Sequence, residues 1–326
     1  MTKKMKARNK LSFSEAFAVV ASIFLFALLM KNSRLVSIET ASALKICATL
    51  LIPSLFPLTV ASELATATGA IEKITSGIKG IFSRLLGIKK TAVPPYFVGI
   101  LGGYTSSCKS AVTLYENGKI NEDDCEGVIA ISNMPSLAFL TSFVGSEILQ
   151  NTTDGWILWG ITVFSTLVLG IFNRLFNKNR QTVIISQVQF HPTKTNKKIS
   201  KIVVDSISHS AQAMLVICGF VVFFSVLIRV LDFTLLHFNF PNETRKFLLG
   251  ALEITYGVSS CREIKNELLK RVLCAFFIGW SGLCVHFQVI ALCEKVNFSF
   301  KRYFLLKFLQ GIICALITLA VFRFKF

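Results

Sequence analysis

The chain has 326 residues, of which 53% are hydrophobic and only 16% are charged, and its mean hydropathy is +0.61. This composition excludes an ordinary soluble enzyme and is typical of a protein that crosses a membrane several times. The formal net charge is +17, but the lysines and arginines concentrate in short loops and at the N-terminus. There they orient helices and contact anionic lipid, so membrane lipid is an expected partner and nucleic acid is not.

The first third of the chain predicts a membrane anchor followed by two further helical elements. Residues 1–42 begin with a basic segment and are predicted to form a cytoplasmic N-terminus and a first transmembrane helix. The next apolar segment, 43–67, contains Pro53 and Pro57, which we expect to break or kink the helix. Residues 71–90 predict a basic amphipathic helix that lies on the cytoplasmic surface.

Seven further apolar segments follow, separated by polar turns and one long polar stretch. Asn121 is expected to cap the helix that begins after it, because three acidic residues favour that N-terminus. Residues 177–203 form the longest polar stretch and are predicted to be a cytoplasmic linker. The apolar segments cover approximately residues 94–114, 128–148, 156–175, 211–231, 247–261, 271–291 and 303–322.

The two halves of the chain predict an inverted repeat. Each half, 43–176 and 204–326, has a long apolar helix, two interrupted segments and a plain apolar helix. Five full crossings before the linker would place it outside, so one interrupted segment of the first half is expected to be re-entrant. The predicted fold is an all-α polytopic membrane protein with eight or nine hydrophobic segments, some interrupted or re-entrant, and two repeats of opposite orientation.

The interrupted segments of the first half carry the first candidate substrate site. Gly103 lets the backbone turn close to a ligand, and Tyr104 and Lys109 follow it on the same segment. The alternative is that the glycines serve helix packing and that Lys109 extends to the membrane interface. Asn133 and Ser136 flank a proline, where their side chains bind a ligand or satisfy the carbonyls that the proline frees.

The second half places ionisable groups inside apolar segments, where they are costly unless they have a partner or a wet cavity. Glu253, followed by Thr255 and Gly257, is a candidate coupling group for a proton or Na⁺. It is alternatively a structural partner of Lys109. The last candidates surround a glycine-rich break and are Ser281, Gly282, His286 and Gln288.

No cofactor, metal site or enzymatic reaction is predicted. No second histidine or carboxylate stands at ligand spacing from His286. Ser281 and His286 lie on different helical faces, and the chain has no GxSxG elbow and no phosphate-binding loop. The nine cysteines form no CxxC pair and indicate no disulfide framework.

The interrupted segments together resemble the YlbJ-type (SpoVV) sporulation integral membrane proteins, which belong with the nucleoside-recognition or Gate domain proteins. In the first half, the family's glycine and proline after the tyrosine are replaced by Ser107 and Thr105, and one asparagine of its Cys-Asn-Asn element is Met134. The matching elements are Leu51–Pro57, Gly102–Tyr104 with Lys109, Leu114–Ile120, Glu253–Thr255 with Gly257, and Gly282–Leu283 with Val285, His286 and Gln288.

This resemblance implies a transporter of dipicolinic acid across the outer forespore membrane during endospore formation. Lys109 would then meet the carboxylates, and His286 or Gln288 the ring nitrogen. The expected location is the cell membrane or the outer forespore membrane. Two alternatives stay open, a nucleoside or other metabolite permease of the same fold and a non-transporting membrane scaffold in spore assembly.

Overall fold

The computed structural model describes residues 13–177 and 198–323, which form helices and connecting turns without any strand. The basic N-terminal segment and most of the predicted linker lie outside these ranges. The α-helices of the first half are α1 Phe13–Lys31, α2 Ser33–Ile46, α3 Ile52–Ala67, α4 Ala70–Thr75, α5 Lys79–Leu86, α6 Val93–Gly102, α7 Tyr104–Glu116, α8 Glu122–Ser132 and α9 Thr152–Asn177.

The second half contains fewer and longer elements. Its helices are α10 Ile199–His237, α11 Asn242–Gly250, α12 Ile254–Ser260, α13 Glu267–Trp280, α14 Gly282–Leu292 and α15 Phe300–Arg323. The described residues also contain two π-helical stretches, Cys47–Leu51 and Phe139–Ile148, and two 3₁₀ turns, Lys90–Ala92 and Cys261–Glu263.

Five helical stretches among the described residues are long and apolar enough to cross a membrane. They confirm an all-helical membrane protein with several spans. The prediction of eight or nine hydrophobic segments counts further apolar segments besides these five. In the structure those further segments are divided into shorter helices. The five stretches are Ser33–Ala67, Thr152–Arg174, Ile199–His237, Glu267–Leu292 and Phe300–Arg323.

The helix that carries two prolines differs from its prediction. Pro53 lies in the first turn of α3, where a missing amide costs little, and the helix continues through Pro57 to Ala67. A π-helical turn ends just before Pro53, and the Ser54 hydroxyl donates a hydrogen bond to the Leu50 carbonyl at 2.7 Å. The prolines therefore do not break this helix, and the irregular turn lies just before the first of them.

The predicted surface helix over 71–90 is two short helices, α4 and α5. The chain turns between them at Gly77, so the expected apolar stripe does not stay on one face. Ile71 and Leu86 are buried, whereas Ile74 is 77% exposed and Ile81 is 60% exposed. The prediction of one continuous amphipathic helix is corrected accordingly.

The first interrupted segment is a hairpin of α6 and α7, called here the first hairpin. The chain reverses at Gly103, whose φ is +80°. A Cβ on Gly99 would lie 3.0 Å from the Ser107 Cβ, although the two residues are eight positions apart. Lys89, just before the hairpin, pairs with Asp124, just after it, at 2.7 Å. The two ends of the first hairpin therefore lie together on one side of the bundle.

The helices α11 and α12 form a second hairpin, and its two ends also lie together. A Cβ on Gly250 would lie 2.8 Å from the Gly257 Cα, so the two short helices pack backbone to backbone. Lys246 and Glu263 join the two ends of the second hairpin, with Nζ and Oε2 2.5 Å apart. This segment also returns to the side from which it starts.

The two hairpins open toward opposite sides of the bundle. The helix α9 connects the sides, with Asp154 in its first turn and Asn173 near its end. Arg302 of α15 contacts Asn173 and also pairs with Glu126 at the start of α8, next to the ends of the first hairpin. Arg271, at the start of α13 and after the second hairpin, pairs with Asp154 at 2.7 Å. We call the Asn173 side the linker side, because the predicted linker follows α9.

Candidate functional site

The interruptions meet in pairs inside the bundle. A Cβ on Gly103, at the turn of the first hairpin, would lie 3.0 Å from the Ser136 backbone nitrogen. A Cβ on Gly282, at the break between α13 and α14, would lie 2.9 Å from the Ile254 nitrogen of the second hairpin. Both glycines have φ of +80°, and Ser281 beside Gly282 has φ of +74°. Positive φ and close backbone approach explain why glycine stands at 103 and 282.

A chain of hydrogen bonds links the break after α8 to the second half. The Asn133 side-chain amide donates to the Tyr303 hydroxyl of α15. The same hydroxyl lies 3.1 Å from Nδ1 of His286 in α14. All three side chains are buried. Two residues that the sequence places 153 positions apart, Asn133 and His286, therefore share one partner, Tyr303.

A buried lysine lies at the same break. Lys307 is 0% exposed, and its Nζ donates to the Asn133 carbonyl at 2.5 Å and to the Gln310 side-chain oxygen. Gln310 in turn donates to the Ser165 hydroxyl at 3.1 Å. Within the described ranges Lys307 forms no ion pair with a carboxylate. Lys307 lies four positions after Tyr303 on α15, which places both on one helical face.

Three polar atoms near this chain are buried and have no hydrogen-bond partner among the described residues. They are the Tyr104 hydroxyl, Oδ1 of Asn133 and Nε2 of His286. The Tyr104 hydroxyl lies beside Ser281 and within electrostatic range of Tyr303. Each unsatisfied buried group costs about 1–3 kcal/mol. Their proximity points to a bound ligand or water at this place. We call Tyr104, Asn133, Ser281, His286, Tyr303 and Lys307 the polar cluster.

Aromatic rings enclose the histidine of the polar cluster. The His286 ring centroid lies 4.6 Å from that of Trp280 and 5.7 Å from that of Phe304. His286 is 0% exposed. Any ligand that meets Nε2 is therefore shielded from bulk water in this conformation.

Glu253 has a local structural task. It is 2% exposed, and it caps α12 by accepting hydrogen bonds from the backbone amides of Thr255, 2.9 Å, and Tyr256, 2.7 Å. Glu253 and Thr255 also line a cavity of about 210 Å³ that contains Arg229 and Asp232. In the described residues Glu253 forms no ion pair with Lys109, which lines a separate cavity of about 610 Å³.

The other predicted site residues have local contacts. The Ser136 hydroxyl accepts a hydrogen bond from the Phe139 amide at 3.3 Å. Gly257 lies inside α12 and packs against Gly250 and Phe277, so it is not a break. The Gln288 amide contacts Cys284 Sγ at 3.5 Å. The substrate-binding role of all twelve predicted residues stays a prediction, and the structure joins only Tyr104, Asn133, Ser281 and His286 in the polar cluster.

Replacing Glu253 by glutamine is expected to destabilise the protein by about 1 kcal/mol. Glutamine has one acceptor oxygen, so one of the two backbone amides that Glu253 caps loses its partner. Thermal unfolding in detergent measures the effect. The matched control is Glu263→Gln, at an exposed pair, which is expected to change nothing measurable. Unchanged stability of Glu253→Gln would contradict the capping role.

Comparison with known proteins gives one curated relative. No family model matches the chain, and no solved structure matches it. The sporulation integral membrane protein YlbJ of Bacillus subtilis (strain 168) is 23% identical over 336 aligned positions, which cover 94% of this chain and 82% of that protein. This chain is a distant relative of YlbJ. The resemblance to YlbJ-type proteins drawn from the motifs is confirmed.

Sequence reasoning missed the buried polar residues of α15. The sequence predicts only a plain apolar helix over 303–322. Tyr303, Lys307 and Gln310 are nevertheless buried in the structure. A signal was present, because the three polar residues recur at positions i, i+4 and i+7, which is the spacing of one helical face.

Proposed function

We propose that this YlbJ-like protein carries a small anionic metabolite across a membrane, and that dipicolinic acid during endospore formation is the substrate. The observation that carries the proposal is the polar cluster. It combines a buried ammonium, Lys307, with three unsatisfied polar atoms where interrupted helices meet. A buried cation with no carboxylate partner among the described residues favours an anion nearby.

The chemistry of the polar cluster suits a planar heterocyclic dicarboxylate. When Tyr303 donates to Nδ1 of His286, Nε2 carries the ring proton and is a free donor. The Tyr104 hydroxyl is a second donor, and Oδ1 of Asn133 is an acceptor. The N-termini of α7 and α14 begin beside these residues, and their backbone amides favour negative charge.

The arrangement of the hairpins supports transport over a static role. Two re-entrant hairpins open to opposite sides, and each turn contacts the break of a neighbouring helix. Secondary transporters with inverted repeats bind substrate near the midplane between such discontinuous helices. We infer that 43–176 and 204–326 are inverted repeats and that the two halves alternate access to the polar cluster.

The setting of the proposed transport follows from the relative and from charge. The curated relative is named a sporulation integral membrane protein. We propose the outer forespore membrane or the cell membrane for this chain as well. The basic residues of the N-terminal segment favour a cytoplasmic N-terminus, with the linker on the same side.

Uptake into proteoliposomes tests the proposal. Purified protein is expected to take up labelled dipicolinate saturably, and His286→Phe is expected to lower the uptake rate at least tenfold. Phenylalanine preserves the packing against Trp280 and removes the free donor. The matched control, His237→Phe at the exposed end of α10, is expected to retain the wild-type rate.

Two outcomes would contradict dipicolinate transport through the polar cluster. One is uptake no greater than that of empty liposomes, which would favour the scaffold role if spore assembly still required the protein. The other is equal uptake by His286→Phe and wild type. Uptake of a labelled nucleoside in preference to dipicolinate would favour the permease alternative.

A further inference from the structure

Lys307 contacts a backbone carbonyl at the break after α8, at a place where some transporters bind a metal ion. The helix α8 ends at Ser132, and the chain is not helical over 133–136. Carbonyls near such an end lose their intrahelical partners. In transporters with discontinuous helices, unwound carbonyls of this kind coordinate the coupling Na⁺. Here the Asn133 carbonyl instead accepts a hydrogen bond from the Lys307 ammonium at 2.5 Å.

The surroundings of the Lys307 ammonium resemble those of a bound monovalent cation. Its two oxygen partners are both neutral, the Asn133 carbonyl and the Gln310 side-chain oxygen. Ser165 fixes the orientation of the Gln310 amide by accepting from its nitrogen at 3.1 Å. Lys307, Gln310 and Ser165 are all 0% exposed, so the cation is fully enclosed. Two neutral oxygens therefore converge on the Lys307 nitrogen inside the bundle.

We propose that Lys307 is a tethered cation that occupies the position of a coupling metal ion at the break after α8, so that this protein works without Na⁺ at this place. The part of the inference that concerns transport rests on the proposed function. The part that concerns occupation of the site does not. A tethered ammonium supplies the positive charge next to the substrate but cannot cross the membrane, so it adds no sodium gradient to the driving force.

Ion-dependent stability tests the occupation of the site without any substrate. Thermal unfolding is measured in detergent in NaCl and in choline chloride at equal ionic strength. Wild type is expected to unfold at the same temperature in both salts. Lys307→Ala removes the ammonium and leaves the oxygens unpaired, so Na⁺ is expected to raise its unfolding temperature saturably. The control Lys45→Ala, at an exposed lysine of α2, is expected to behave as wild type.

Three results decide this arm of the test. Saturable stabilisation of wild type by Na⁺ over choline would overturn the proposal, and so would a folded Lys307→Ala variant that is indifferent to Na⁺. A Lys307→Ala variant that can be purified in Na⁺ and not in choline would support it. If that variant folds in neither salt, Lys307→Gln replaces it. Glutamine is neutral and shorter, and the same gain of Na⁺ stabilisation is expected.

Transport separates this inference from the proposed function. Dipicolinate uptake by wild type is expected to be equal in Na⁺ and in choline. Uptake that falls tenfold or more in choline would overturn the tethered-cation proposal and leave transport standing. Absence of uptake in both salts would contradict the proposed function, while the unfolding measurements would still decide what fills the site.

Discussion

Replacing Arg271 by alanine is expected to lower the free energy of unfolding by about 3–5 kcal/mol, because it leaves a buried carboxylate without its cation. Nε and Nη2 of Arg271 both lie 2.7 Å from Oδ2 of Asp154. Arg271 is 5% exposed and Asp154 is 0% exposed. The pair joins α13 to α9, and Arg271 also lies over the Phe322 ring of α15 at 5.5 Å. Thermal or denaturant unfolding in detergent measures the loss.

Two controls separate the buried pair from a general sensitivity to arginine loss. Arg262→Ala removes an exposed arginine that pairs with Glu147 at 3.8 Å, and it is expected to cost less than about 1 kcal/mol. The double variant Arg271→Met with Asp154→Leu removes both charges and is expected to recover most of the loss. If Arg271→Ala were as stable as Arg262→Ala, the ion pair would not hold these helices together.

Replacing Tyr303 by phenylalanine is expected to cost about 2–6 kcal/mol, because two buried polar groups lose their partner at about 1–3 kcal/mol each. The Asn133 amide and Nδ1 of His286 both bond to the Tyr303 hydroxyl. The ring itself stays, so the packing of α15 is preserved. Dipicolinate uptake is expected to fall with the stability, because Asn133 and His286 lose their common support.

The matched control for Tyr303 is Tyr96→Phe. Tyr96 is also fully buried, but its hydroxyl has one hydrogen-bond partner, Thr166 at 2.8 Å. That change is expected to cost about 1 kcal/mol. The double variant Tyr303→Phe with His286→Phe removes one orphaned group and is expected to be no less stable than Tyr303→Phe alone. Equal losses for Tyr96→Phe and Tyr303→Phe would contradict the hydrogen-bonded chain.

The interruptions were predictable because their causes are local. Gly103 requires positive φ, and the polar residues 133–136 contain a proline that cannot continue α8. The cap formed by Asn121 was also predicted, and its Oδ1 accepts from the Asp124 amide at 2.8 Å. Such features depend on neighbouring residues in the chain, so sequence patterns reveal them.

The partners at the interruptions were not predictable because they come from distant parts of the chain. Lys307 contacts Asn133 across 174 positions, and a lysine in an apolar helix gives no sign of which carbonyl it meets. The sequence also did not identify which segment is re-entrant. The number of crossings between the N-terminus and the linker requires one such element in the first half but does not locate it. The contact between Lys89 and Asp124 brings the two ends of the first hairpin together, and no sequence pattern reveals that contact.

The sequence also could not show whether Glu253 caps a helix or has a functional role. Glu253 stands inside an apolar segment, and insertion costs alone favour a functional role. The structure shows that the chain leaves helical geometry at Glu253 and that both carboxylate oxygens accept backbone amides. Whether a residue caps a helix depends on where that helix begins. The pattern of apolar residues locates the start of a helix only to within several positions.

Equilibrium binding of labelled dipicolinate to the purified protein tests most directly whether the polar cluster receives a small anion. The account predicts saturable binding by wild type, at least tenfold weaker binding by Lys307→Met, and wild-type affinity for Lys45→Met, whose lysine is exposed. No saturable binding by wild type, or equal affinity of wild type and Lys307→Met, would contradict it.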